Sequence, residues 1–298
     1  MDLAGNADRF SGFADLYDRV RPTPPAVVGD LLRAYSGTVS PLVVDLGSGT
    51  GLSTRWAASW AGRTIGVEPS ADMRAVADAR AAAGATTVAG WSHATGLPDE
   101  SADVVLAVQA LHWMEPSGTF AEVARLLRPG GVFAALDCDW PPAVGSAPAE
   151  EAWGRCMVRA AAYEDRLCVG LDGDGLAAPL AADAQGAPVP EHLGRDHNQG
   201  RALPAGVTAW SKDEHLARLR ASGRFRFCRE VITHATEPGD AARFVDLLRS
   251  QGGIRTLAKH GLDETTIGVT AFARVVHEAL GTAERPFVFT YRVRLAVR

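Results

Sequence analysis

The sequence predicts an α/β fold: a parallel sheet with helices on both faces, an N-terminal helical cap, and a mainly helical lid inserted after the fifth strand. Three observations carry this. Apolar runs of strand length alternate with amphipathic segments of helix length between residues 41 and 140. The first run ends in a glycine turn, VVDLGSGTG (43–51). After Trp140 the alternation stops and a Gly/Ala/Pro-rich tract soon follows.

Taken in order, PPAVVGDLLRAY (24–35) has helical apolar spacing with prolines at its start. PLVVDLG (41–47) reads as a buried strand, LSTRWAASW (52–60) as the helix behind it, and RTIGVEP (63–69) as a second strand. A helix is expected over 71–84, a short strand at TTVAG (86–90), and another at ADVVLAVQA (102–110). SGTFAEVARLLRPGG (117–131) reads as a helix ended by proline and glycine, and VFAALDCDW (132–140) as strand five. Beyond it, 150–167 is one convincing helix. A structureless stretch as long as the rest of 141–210 is improbable, so short packed helices are expected there. SKDEHLARLRASG (211–223) reads as a helix with Ser211 as cap and Glu214 completing a capping box. FRFCREVITH (225–234) and FVFTYRVRLAV (287–297) are the last strands, separated by helices at 239–251 and 270–280. The expected organisation is a cap (1–35), a ligand-binding core (36–140), a substrate-binding lid (141–210) and a C-terminal completion of the core with additional helices (211–298).

Composition excludes several classes. The 298 residues are 47% hydrophobic and 22% charged, enough for a sizeable core. With 35 acidic against 30 basic residues, the net charge of −5 gives no general attraction to nucleic acid or anionic membrane. The four cysteines (138, 156, 168, 228) form no CxxC pair and read as reduced thiols rather than disulfides or a zinc site. The opening MDLAGNADRFSG lacks a basic segment followed by an apolar run, and no uninterrupted apolar 18-mer follows, so a cytoplasmic protein is expected.

A glycine turn after a strand can hold a dinucleotide, a phosphate or S-adenosylmethionine (SAM), or can simply permit close helix packing. No GxxxxGK[ST] is present, which disfavours a P-loop. The dinucleotide fingerprint would need glycine at 52 or 54, where Leu52 and Thr54 stand. Glu68, at the end of the second strand, can accept both hydroxyls of an adenosine ribose in either NAD or SAM. Asp45, just before the turn, suits a ligand with a cationic centre and an amino group better than a pyrophosphate, unless it only caps the turn.

At these residues the sequence resembles the class I SAM-dependent methyltransferases, in particular the small-molecule group that includes trans-aconitate methyltransferases. VVDLGSGTG is similar to their first motif and GVEPSADM (66–73) to the segment after it. LPDESADVVLAVQALHW (97–113) and EVARLLRPGG (122–131) resemble the fourth-strand region and the helix before strand five. RFSGFADLYDRVRPTPP (9–25) resembles their N-terminal cap. The resemblance covers about residues 9–140 and implies a Rossmann-like class I methyltransferase sheet. It implies that Asp45, Gly47, Ser48 and Gly49 surround the methionyl part of SAM and that Glu68 holds the ribose. Pro69 and Met73 would flank the adenine, with Ser92 the nearest match to the residue addressing the adenine edge. The family's usual S-A-E is here Ser92-His93-Ala94, a departure that weakens the adenine assignments. Tyr17 and Arg21 belong to the part of the cap that closes over SAM, and Arg21 could equally recognise an acidic substrate or lie exposed at a hinge.

The acceptor side is less determined. Gln109, His112 and Trp113 fall at the carboxyl end of strand four, where open α/β sheets bind ligands. Gln109 is expected beside the cofactor. His112 could remove a proton, orient the acceptor or be structural, and Trp113 offers an apolar wall. Asp137 and Asp139 follow strand five as a possible base and orienter; DxD without further ligands leads us to expect no metal. Trp140, Trp153, Tyr163, His197 and Asn198 are candidate acceptor-wall residues. The expectation is methyl transfer to a carboxylate or hydroxyl oxygen of a small molecule, by a monomer or homodimer. N- or C-methylation, an NAD-dependent oxidoreductase and an inactive SAM-fold partner protein are the alternatives. The amino-methylating pattern [DNS]PP[YF] is absent after strand four, which disfavours a nucleic-acid substrate.

Overall fold

The computed structural model describes residues 14–180 and 207–298, and the chain divides into two units. The sheet unit comprises Thr23–Cys138, Ala209–Ala235 and Thr290–Arg298; the helical unit comprises Met1–Pro22, Asp139–Thr208 and Thr236–Phe289.

In chain order the elements are α1 (Ala14–Val20), α2 (Ala26–Ser36), β1 (Leu42–Leu46), α3 (Leu52–Ala58), β2 (Arg63–Val67), α4 (Ala71–Ala79), β3 (Ala85–Val88) and β4 (Ala102–Val108). A 3₁₀ turn (Leu111–Trp113), α5 (Pro116–Leu126), β5 (Leu127–Cys138), α6 (Ala147–Cys168) and α7 (Gly173–Ala177) follow. The remainder is α8 (His215–Ala221), β6 (Phe227–Gly239), α9 (Ala241–Arg249), α10 (Gly252–Lys259), α11 (Glu264–Ile267), α12 (Val269–Leu280) and β7 (Arg285–Val297).

The sheet order is β3-β2-β1-β4-β5-β7-β6. β1 to β5 pair in parallel and β7 runs antiparallel to β5. This is a Rossmann-like α/β methyltransferase fold, with a mixed sheet flanked by helices and helical extensions. The strand order reverses between β1 and β4, the switch point where such sheets open a crevice at their carboxyl ends.

The near-continuous apolar strands have the pattern of strands covered on both faces. Val44, Leu46, Val105, Phe133 and Ala135 pack on one side with Phe120, Val123 and Leu126 of α5. Their sequence neighbours Val43, Val104, Leu106, Val132 and Ala134 pack on the other with Val28 and Leu32 of α2 and Ala57 of α3. The helical unit has an aromatic core of its own. Trp153 stacks on Trp140 at 6.1 Å and meets Phe244 at 5.2 Å and Phe272 at 6.0 Å.

Two local expectations shift. The helix expected over 117–131 ends at Leu126, and Arg128-Pro129-Gly130-Gly131 already belongs to β5. The chain end supplies the reason: Gly130 N–H donates to Arg298 O (3.2 Å) and Arg298 N–H to Gly131 O (3.0 Å). The helix expected from Ser211 begins at His215 after Glu214, with no side-chain cap. Ser211 Oγ is buried without a hydrogen-bond partner among the described residues.

Candidate functional site

The glycine turn leaves β1 with Gly47, Gly49 and Gly51 at φ of 65°, 55° and 79°, a region costly for other residues. A Cβ on Gly47 would lie 2.8 Å from Met114 Cε and 3.0 Å from Ala110 Cβ, so the segment after β4 presses against the turn. A Cβ on Gly49 would meet nothing within 4 Å, so this glycine answers to backbone conformation and leaves space beside it. Gly66 in β2 makes room for Ser48, whose Oγ would be 2.7 Å from a Cβ there.

Asp45 is wholly buried, and its Oδ2 accepts from Ser53 Oγ and Thr54 Oγ1, both at 2.7 Å. Burial drives its carboxyl up to about 6 against those two hydrogen bonds, with the nearby Glu68 charge adding to the rise. Its Oδ1 and the Ser48 Oγ are buried with no hydrogen-bond partner among the described residues. Glu68 accepts from Gly49 N–H and Ser70 N–H, each at 2.9 Å, and burial raises its carboxyl despite them. Orphaned polar atoms beside an open glycine backbone fit a ligand bearing an ammonium and hydroxyl groups.

A second cluster lies at the ends of β4 and β5. Asp137 Oδ2 accepts from Arg294 at 2.5 Å, and its Oδ1 is 3.4 Å from Lys212 Nζ and 3.8 Å from His112 Nδ1. His215 Nε2 stands 3.9 Å from Oδ2. Lys212 also donates to Gln109 Oε1 at 3.1 Å, and Arg294 Nε is 2.8 Å from Glu230 Oε2, an ion pair without hydrogen-bond geometry. Burial alone would raise Asp137; the cationic surroundings outweigh it and hold the carboxyl below the usual range. His215 falls to about 4, chiefly by burial, with Asp137 opposing and Arg294, Lys212 and Arg218 reinforcing. It is therefore neutral at pH 7, where Lys212 and Arg294 carry the effect on Asp137. His112, Asp137 and His215 place ligand-type atoms within 4.8 Å of one another. With cations against both Asp137 oxygens, however, the group reads as an ion-pair cluster rather than a metal cage.

The remaining candidates divide between the units. In the sheet unit, Met73 is buried in the first turn of α4, Pro69 O accepts from Arg74 at 2.7 Å, and Ser92 Oγ lies 2.9 Å from Thr119 Oγ1. Trp113 tilts against His112 with ring centres 4.7 Å apart. Gln109 has φ 54°, rare for a residue with a Cβ. Tyr17, Arg21, Asp139, Trp140, Trp153 and Tyr163 belong to the helical unit. There Arg21 lies over Tyr17 (4.8 Å) and Trp140 (4.5 Å) and donates to Ser250 Oγ (3.0 Å) and Ser250 O (2.8 Å). Trp153 and Tyr163 are fully buried. His197 and Asn198 lie outside the described residues.

Residues 44–135, from inside β1 into β5, match the family model described as "Methyltransferase domain". Over this segment the chain is similar to the class I SAM-dependent methyltransferases. An uncharacterized methyltransferase of Mycobacterium bovis is 38% identical over 125 residues, 41% of this chain and 49% of that protein. A "probable S-adenosylmethionine-dependent methyltransferase" of Saccharomyces cerevisiae is 30% identical over 125 residues, 40% of this chain and 43% of that one. The matched segments thus span about half the length of these curated relatives. The solved structure of a "putative type II methyltransferase" from Anaeromyxobacter dehalogenans shares the fold, with a TM-score of 0.55 at 22% identity over 93% of this chain and 97% of that one.

Outside the segment matched to the superfamily model lie Lys212, His215, Glu230 and Arg294, none of which the sequence reading singled out. One signal was available for Arg294: it sits in a strand whose last five residues are all buried. An arginine there needs a buried carboxylate partner. No helix among the described residues is long and apolar enough to cross a membrane.

Proposed function

We propose that this protein transfers the methyl group of SAM to a carboxylate or hydroxyl oxygen of a small-molecule acceptor by in-line displacement. The observation that carries the reading is the glycine turn at the switch point, with Glu68 accepting from Gly49 N–H and Asp45 Oδ1 beside it, without a hydrogen-bond partner among the described residues. SAM, when bound, supplies an activated methyl group on a sulfonium sulfur. Asp45, Gly47, Ser48 and Gly49 hold the methionyl part in this reading, with Asp45 Oδ1 answering the ammonium. The remaining lone pairs of Glu68 take the ribose hydroxyls. Pro69, Met73 and Ser92 line the adenine, Gln109 lies beside the cofactor, and Tyr17 and Arg21 form the cap. The chain's further contribution is to hold the acceptor in line, which can supply much of the rate.

The narrower likeness to trans-aconitate methyltransferases, the assignment of acceptor selectivity to 141–210, a monomeric or homodimeric state and a cytoplasmic site are parts of the same proposal. Calorimetry with SAM and with NAD tests it. SAM should bind and NAD should not, and Glu68→Ala should weaken SAM by about 1.5–3 kcal/mol, the worth of hydrogen bonds to a charged group. Unchanged SAM affinity in that variant would sink the pocket as drawn. Label transferred from methyl-labelled SAM to a metabolite panel separates an enzyme from an inactive partner protein.

A further inference from the structure

We propose that His112 and Asp137 form a proton-accepting pair, and that the acceptor at this site is a neutral, ionisable O–H group, a phenol or an enol, rather than a carboxylate. The inference rests on the methyltransferase reading above and narrows its acceptor.

The first ground is position. His112 sits on the 3₁₀ turn between Ala110 and Met114, and both flanking residues press on Gly47. The imidazole is therefore carried by the segment that braces the glycine turn. The second ground is what stands behind it. Nδ1 is 3.8 Å from Asp137 Oδ1, and that carboxylate is anchored by Arg294 on one oxygen and Lys212 on the other. At 3.8 Å this is an ion-pair contact rather than a hydrogen bond, and a fixed anion there stabilises the imidazolium formed when a proton arrives. Lys212 Nζ faces the same oxygen and opposes a standing imidazolium. A general base at this place takes its proton from the acceptor during the reaction.

The third ground is the fate of the cations. Lys212 is held between Asp137 and Gln109, and Arg294 between Asp137 and Glu230; both are almost wholly buried. His215 is neutral at pH 7. Both cations are already committed to Asp137, and an ionised carboxylate brings no proton for His112 to take. A neutral O–H supplies one. Its proton passes to His112 Nε2 as the oxygen's lone pair bonds to the methyl carbon and the electron pair of the broken C–S bond stays on sulfur. The imidazolium then releases the proton to water.

The test uses the full chain and methyl-labelled SAM. Catechol, 4-nitrophenol and acetylacetone serve as hydroxyl or enol probes, with benzoate and trans-aconitate as carboxylate probes. Label should enter at least one of the first set and neither of the second, and kcat/KM should fall along a single acidic limb. His112→Ala should lower kcat/KM by about 10²–10⁴-fold, leave SAM affinity unchanged and recover in part with added imidazole. Independently of turnover, the His112 ring nitrogens, followed by NMR without acceptor, should titrate at higher pH in the wild type than in Asp137→Asn. Should that variant fail to fold, imidazole rescue of His112→Ala decides in its place. SAM binding with label only in carboxylates, with no label in any hydroxyl probe, or with full activity in His112→Ala overturns this inference and leaves the methyltransferase reading standing. A protein that does not bind SAM overturns both.

Discussion

Asp45 and Asp137 occupy the same place in two strands, the penultimate residue of β1 and of β5, and both are buried. Their protonation nevertheless moves in opposite directions. Asp45 meets two hydroxyl dipoles and the Glu68 charge, and burial carries it up to about 6. Asp137 meets Lys212 and Arg294, which overcome a comparable burial and hold it low. Position in the sheet sets the desolvation, and the partners set the sign. A carboxyl left short of positive charge suits a site that awaits a cation. One already saturated with positive charge suits a site that must remain an anion through a proton transfer.

The comparison breaks most sharply at Arg294. Arg294→Met leaves Asp137 with Lys212 and the two histidines, and Glu230 without its buried partner. We expect a loss of about 3–5 kcal/mol in urea denaturation at pH 7, the usual result of removing one member of a buried pair. The Asp137 contribution should be present at neutral pH and fade on acidification. Its folded pKa lies below the ordinary 3.8, so that stability is lost only as pH falls through the lowered value. A variant as stable as the wild type would mean that water already reaches the carboxylate.

That cluster also marks where reading the sequence stopped. The β1–β5 rhythm, the turn at 47–51 and the positions of Glu68 and His112 just past strand ends were legible because periodicity and glycine punctuation are local signals. Lys212 and Arg294 were not: they lie 75 and 157 positions from Asp137 (212 − 137 and 294 − 137), Arg294 brought to it by the pairing of β7 with β5 and Lys212 by the segment before α8. Ser211-Lys212-Asp213-Glu214 carries the residues of a capping box, yet Lys212 reaches Gln109 and Asp137 and the helix starts later, at His215. Local capping chemistry yielded to a long-range ion pair. The R-P-G-G of β5 misled in the same way, because its pairing partner is the last residue of the chain.

A smaller effect of opposite sign is expected at Asp45. Its folded pKa of about 6 lies above the ordinary 3.8, so its stabilising contribution is complete below the unfolded value and lost as pH rises through about 6. At pH 7 the ionised, partly unsatisfied carboxylate costs up to about 3 kcal/mol, from roughly two pK units at 1.36 kcal/mol each. Asp45→Asn should therefore stabilise the ligand-free protein at pH 7–8 and flatten its stability between pH 4 and 6, while weakening SAM. Denaturation midpoints across that range check it. A variant less stable than wild type at every pH would show that Asp45 is satisfied by groups beyond Ser53 and Thr54.

The smallest effect, at Gln109, separates backbone strain from charge. Its φ of 54° costs a residue with a Cβ about 1–2 kcal/mol. Its Oε1 also accepts from Lys212 Nζ at 3.1 Å, a bond to a charged donor worth about 1.5–3 kcal/mol if left unreplaced. Gln109→Gly removes both together, so its stability should fall within about 1 kcal/mol of the wild type. Gln109→Asn provides the control, because asparagine tolerates this backbone region better than most residues but is one methylene too short to keep the contact. If strain is stored there, Gly should be the more stable of the two variants in parallel denaturation. Lys212, released from Gln109, should then lean further on Asp137, and the acidic limb assigned to His112 should move to lower pH in both variants by the same amount. Equal stabilities with an unmoved limb would mean that Gln109 neither stores strain nor shares the Lys212 charge, and that Asp137 is held low without it.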